Sequence, residues 1–147
     1  MLALCLVGAA CEADQGPIVD LVPERPANLR GYWRPTWEIR GDLSGKEVSC
    51  AEAGAAHMVA HVATDDEGGP AKRARYRAPC DTPGKEAFVA LEPGRYRVRV
   101  ELQSPTGKSL SVTSEGTVIM PRDGKPQTTP SVFKQRDSVV IKARNQR

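Results

Sequence analysis

From Arg95 the chain alternates without a break: Tyr96, Val98, Val100 and Leu102 fall on one side, Arg95, Arg97, Arg99 and Glu101 on the other. Period two with β-branched residues on one side predicts a half-buried antiparallel strand. Glu92-Pro93-Gly94 just before it makes a turn, because Pro fixes φ and Gly accepts φ > 0. A strand apolar on one side needs a second layer to cover it. Trp37-Glu38-Ile39 alternates in the same way, which predicts a strand over Thr36–Arg40, and Gly41–Gly45 turns the chain. Ser49-Cys50-Ala51-Glu52 has the spacing of a helix capping box, with Gly54 placed to end that helix early. Ala55–Thr64 admits a helix running from Cys50 through Val62, or a strand. As a strand it puts Ala56, Met58, Ala60 and Val62 on one face and His57, Val59 and His61 on the other. The strand is preferred, because a lone helix in a β chain needs a separate face to bury. Ala87–Leu91, Leu110–Thr113, Thr117–Met120, Ser131–Phe133 and Ser138–Ile141 read as further short strands. Turn signals at this rhythm predict an all-β fold, an antiparallel sandwich of about seven to eight short strands over residues 36–141.

Composition agrees with that class and trims the function classes. Only 39% of residues are hydrophobic and 5% aromatic, so the core is modest, while 13 Gly and 12 Pro separate the apolar runs. A net charge of +3 is too small to point to nucleic acid. Residues 11–35 carry Pro17, Pro23, Pro26 and Pro35 with little periodicity, and read as an extended tether or a segment laid on the domain surface. Residues 142–147 are a flexible basic tail. Tyr32, Trp33 and Trp37 cluster where the tether meets the first strand. They could stack on a sugar, but Trp37 is read as the plug of one end of the core.

Residues 1–10 are apolar and uncharged, as in the tail of a secretory signal peptide truncated at its N-terminus. Gly8-Ala9-Ala10-Cys11 resembles the lipobox of bacterial lipoproteins, with Leu6 and Val7 just upstream. That resemblance implies that Cys11 becomes the mature N-terminus and carries the lipid. Of the four cysteines, Cys5 then leaves with the signal and Cys11 is acylated. Cys50 and Cys80 remain as an even pair in an exported chain, which reads as a disulfide.

Leu91-Glu92-Pro93-Gly94-Arg95-Tyr96-Arg97-Val98-Arg99-Val100 is similar to the L-x-P-G-x-Y-x-V-x-V element of prealbumin-like sandwiches. These include the carboxypeptidase regulatory-like and related Ig-like modules of secreted bacterial proteins. The Asp-Gly turn common before that element is replaced here by the region around Cys80 and Gly84. The resemblance implies an accessory or binding module rather than a catalyst.

Candidate chemistry is sparse. His57 and His61 stand four apart and share a face, but Met58 occupies the place where a zinc-protease helix carries Glu, and a third ligand is not evident. Asp65, Asp66 and Glu67 are adjacent, without the alternating spacing of a calcium loop. No nucleophile elbow or phosphate loop is present. No metal, cofactor or catalytic residue is assigned. The remaining candidates are the arginines Arg95, Arg97 and Arg99, with Lys72, Arg73, Arg75 and Arg77 on a segment expected to neighbour them. Such a stripe binds anions, or only keeps a sheet face soluble through cross-strand acids such as Glu86, Glu101 or Glu115. The expectation is a non-catalytic envelope lipoprotein, anchored to the bilayer by its N-terminal acyl group. Its partner would be an anionic envelope component or another envelope protein. The alternative is an envelope-polymer hydrolase or a metal-binding protein using His57 and His61.

Overall fold

Residues 16–65, 70–113 and 115–135 are described by the computed structural model. They form two facing mixed sheets built from nine strands, with one short helix, as an all-β sandwich. The first sheet contains β1 (Ile18–Asp20), β3 (His57–Thr64), β4 (Arg73–Pro79), β6 (Gly94–Gln103), β7 (Ser109–Val112) and β8 (Gly116–Met120), in the order β1-β4-β3-β6-β7 with β8 also on β6. The second contains β2 (Tyr32–Gly41), β5 (Val89–Ala90) and β9 (Gln127–Gln135), in the order β5-β2-β9.

The alternation read from Arg95 onward becomes β6, the hub of the first sheet, which pairs antiparallel with β3, β7 and β8. Its turn is tied by Tyr96, whose hydroxyl donates to the Glu92 carbonyl at 2.7 Å. Ala55–Thr64 resolves as strand β3, preceded by α1 (Cys50–Ala53). The capping box closes as expected: Ser49 Oγ accepts from the Glu52 amide and the Glu52 carboxylate receives the Ser49 amide. Gly54 then ends the helix with φ of 69°, a left-handed conformation that costs Gly little.

Each sheet contains one parallel pair, where antiparallel pairing throughout was expected. β1 runs parallel to β4 and β9 runs parallel to β2. The β1 pairing lays part of the proline-rich segment along the domain. Gly16, just before β1, has φ of 85°, and a Cβ there would stand 2.0 Å from the Arg73 carbonyl oxygen. β2 starts at Tyr32, ahead of the expected Thr36. Pro35 is accommodated because a strand residue points its N and C=O to the same edge, and the Pro35 carbonyl faces Ala87, from which it accepts at 3.0 Å. The missing N–H therefore faces the short β5 side, and the pairing with β9 is intact. The strand expected at Ser138–Ile141, the leader 1–10 with Cys11, and the tail 142–147 lie outside the described residues.

The core lies between the sheets. β6 contributes Val98, Val100 and Leu102, β3 Met58, Ala60 and Val62, β8 Val118 and Met120; the second sheet answers with Trp33, Trp37, Ile39, Val89 and Phe133. Both tryptophans are buried, at 0% and 3% exposure, so neither offers a stacking platform for a sugar. Trp33 Nε1 donates to Thr129 Oγ1 and Trp37 Nε1 to the Cys80 carbonyl, each at 2.9 Å. Cys50 and Cys80 are bonded, with Cα atoms 6.0 Å apart, which fastens the start of α1 to the chain just after β4.

Candidate functional site: the outer face of the first sheet

Register fixes what this face displays, since directly paired residues share a side. One row across β1, β4, β3 and β6 is Ile18, Arg75, His61, Arg99. The row toward the N-terminal end of β6 is Arg73, Ala63, Arg97, and the row on the other side is Asp20, Arg77, Val59, Glu101. The two arginine clusters therefore lie on the same face without being neighbours. β3 separates them, so their backbones stand about 9–10 Å apart, two strand spacings. Arginine stems span that distance.

The acids on the face are unevenly shared. Arg77 holds Asp20 in a two-pronged pair at 2.6 and 3.1 Å. That contact lowers the Asp20 pKa, against a small opposing effect of burial, and raises that of Arg77. Arg95 meets Asp65 at 3.1 Å, and Arg97 approaches Asp65 at 3.8 Å and Glu115 at 4.0 Å. Arg97 Nε is shut from solvent yet makes no hydrogen bond. Arg75 is buried and donates to the Gly16 carbonyl at 3.0 and 3.3 Å. Arg73 and Arg99 have no ion pair among the described residues. Both line, with Arg97, His61 and Glu115, a small open cleft of about 40 Å³. Of the acids expected to neutralise these arginines, Glu115 is placed to do so. Glu86 lies on the other sheet's side with Arg34 at 2.6 Å, and Glu101 is taken by His61.

His61 Nε2 and Glu101 Oε1 are 2.5 Å apart, with side chains 11% and 10% exposed. Burial pushes the Glu101 carboxyl up, but hydrogen bonds from His61, Ser109 and Gln103 and the His61 charge outweigh it, so its pKa is lowered. Glu101 thus sits between His61 and Ser109. A nucleophilic relay needs the imidazole between acid and hydroxyl, and this order is different. His57 shares the face, but four residues along a strand put it about 13 Å from His61, too far to hold one metal ion with it. No group of three His, Cys, Asp or Glu able to hold a metal occurs among the described residues. Among the same residues, no helix is long and apolar enough to cross a membrane.

The pairing of His61 with Glu101 was not legible in the sequence, and the period-two strand that carries Arg73 to the cleft was not predicted from it. The signal for the second was present: Arg73-Ala74-Arg75-Tyr76-Arg77-Ala78 alternates with period two, with alanines on the buried side. The first needs the β3–β6 register, which sequence spacing does not supply. No family model matches the chain, and no curated protein or solved structure matches it significantly.

Proposed function

We propose that the chain is a non-catalytic envelope lipoprotein: a β-sandwich module, anchored through an acyl group on Cys11, that presents the outer face of its first sheet to an anionic component of the bacterial cell envelope. The observation that carries this reading is the placement of Arg73 and Arg99 on either side of β3, both without ion pairs among the described residues, around one cleft with Arg97. Guanidinium groups bind phosphates and carboxylates through paired N–H donors, which suits such a face to anions. The lipobox-like Gly8-Ala9-Ala10-Cys11 and the disulfide, which belongs to an oxidising compartment, support the envelope location. The similarity of Leu91–Val100 to prealbumin-like modules supports a binding role.

A hydrolase remains the second reading because of the close His61–Glu101 pair beside the cleft. Its weakness is the order of the groups around Glu101. In the native host, with any upstream residues restored, Cys11→Ser is expected to move the protein from the membrane to the soluble fraction. Unchanged membrane partition, or a mass retaining residues 1–10, refutes the anchor.

A further inference from the structure

The geometry points to the outer face of the first sheet as a surface that lies against an anionic lipid bilayer, the bilayer that would hold the anchor of the same molecule. The inference rests on the anchored-module reading for its orientation, and on three independent placements for its substance.

The first is where the chain arrives. Arg75 projects from the outer face, and its guanidinium donates to the Gly16 carbonyl. Ile18 pairs beside Arg75 on the same face. The described chain therefore begins at the β1 edge of this face. From Cys11 to Gly16 is five residue steps, a reach of at most about 18 Å. An acyl group on Cys11 would hold the β1 edge of this face within that distance of the headgroups.

The second is charge. Among the described residues, six arginines (Arg73, Arg75, Arg77, Arg95, Arg97 and Arg99) share the face with four acids, Asp20, Asp65, Glu101 and Glu115. Among these described groups the positive charges exceed the negative by two, and Arg73 and Arg99, which share their cleft with Glu115, have no ion pair among the described residues. On the outer face of the second sheet Arg34 is paired with Glu86 and Arg40 with Glu38, which leaves Lys134 without an ion pair among the described residues.

The third is the apolar rim. Ile119 stands opposite Arg95, Val112 opposite Glu101 and Ile18 opposite Arg75, so all three project on this face. They are 61%, 44% and 43% exposed. Aliphatic side chains around a cationic centre suit an interface where phosphates meet the ends of acyl chains. A soluble acidic polymer would engage the arginines and leave this rim unused.

Each guanidinium near an anionic membrane strengthens association about fivefold, so two give about 25-fold. That is weak for a free protein, yet effective for one already tethered, where the local concentration of surface reaches about millimolar.

The test uses the full chain carrying Cys11→Ser, sedimented with vesicles of phosphatidylcholine alone or mixed equally with phosphatidylglycerol. The readout is the ratio of anionic to neutral partition, in which any contribution common to both kinds of vesicle cancels. A ratio of at least about 25 is expected in dilute buffer, falling toward one at roughly 0.5 M salt as the Debye length shrinks. Arg73→Ser with Arg99→Ser should lower the low-salt ratio about 25-fold; Arg73→Gln with Arg99→Gln serves the same end if the first pair unfolds. Ile18→Ser with Ile119→Ser should lower anionic partition while keeping its salt dependence. Arg40→Ser with Lys134→Ser removes two charges from the other sheet and should leave the ratio unchanged. A wild-type-face ratio near one at low salt overturns the inference, as does an equal loss in the Arg40/Lys134 pair. Retention on an acidic polysaccharide matrix without preference for anionic vesicles also overturns it, by assigning the face to a soluble polymer. The anchor is tested separately by the intact mass of host-made protein, so the two failures are distinguishable.

Discussion

Removing the Cys50–Cys80 crosslink by changing both residues to Ala probes the largest single restraint on this small core. The bond closes a loop of sequence separation 30. In the chain-entropy account such a loop contributes about 3.6 kcal/mol at 25 °C through the unfolded state. Both cysteines are buried, at 5% and 0% exposure, so their truncation also leaves space beside Trp37 that the core fills incompletely. The expected loss is therefore about 4 kcal/mol, a large share of a typical 5–15 kcal/mol stability. Urea unfolding followed by tryptophan fluorescence reads it directly, because Trp33 and Trp37 leave the core together. The m-value should rise as well, since the uncrosslinked unfolded chain exposes more surface. With both sulfurs enclosed, reduction of the wild-type bond by dithiothreitol should follow the unfolding rate. A double variant within about 1 kcal/mol of wild type, against the ~3.6 kcal/mol loop estimate, would refute the reasoning.

Glu101→Gln should destabilise the protein by about 1.5–3 kcal/mol at pH 7, the scale of a charge-assisted hydrogen bond. Because the Glu101 pKa is lowered in the fold from 4.5, its contribution is present above that value and is lost as pH falls through the folded pKa. Denaturation at pH 7 and pH 3 should show wild type losing more than the variant on acidification; equal losses would contradict the His61–Glu101 pairing. Gly16→Ala should detach β1, since a Cβ meets the Arg73 carbonyl, and hydrogen exchange at Arg75 and Leu21, whose amides donate to Pro17 and Arg77, should then quicken. Unchanged exchange there would contradict the β1 register. Tyr96→Phe should cost about 1 kcal/mol by releasing the Glu92 carbonyl, measured by thermal unfolding; a neutral change would mean that the turn holds itself.

Several elements were legible because one local rule sufficed. β6 announced itself by an apolar face of four large side chains, and α1 by the Ser49/Glu52 spacing. The disulfide followed from sorting the cysteines. β4 was harder to read because Ala74 and Ala78 bury little area and three arginines dominate its composition. Pro35 hid the first half of β2, since its harmlessness depends on which edge its missing N–H faces. The parallel pairing of β2 with β9 depends on how the sheets are threaded, which no local pattern encodes. At the candidate site, the arginines of β6 were legible by alternation. Their relation to Arg73 and Arg75 was not, because β3 lies between them, and its neighbours on both sides are set by register.

The central claim is that one sheet face meets the envelope. Hydroxyl-radical footprinting of the full chain in its own membrane, against the Cys11→Ser chain free in solution, tests it most directly. Protection is expected at Ile18, Val112 and Ile119, which are exposed on the outer face of the first sheet. Val132 on the second sheet is comparably exposed, at 47%, and its labelling should be unchanged. Protection of Val132 with Ile18 and Ile119 still labelled as in solution would contradict the account.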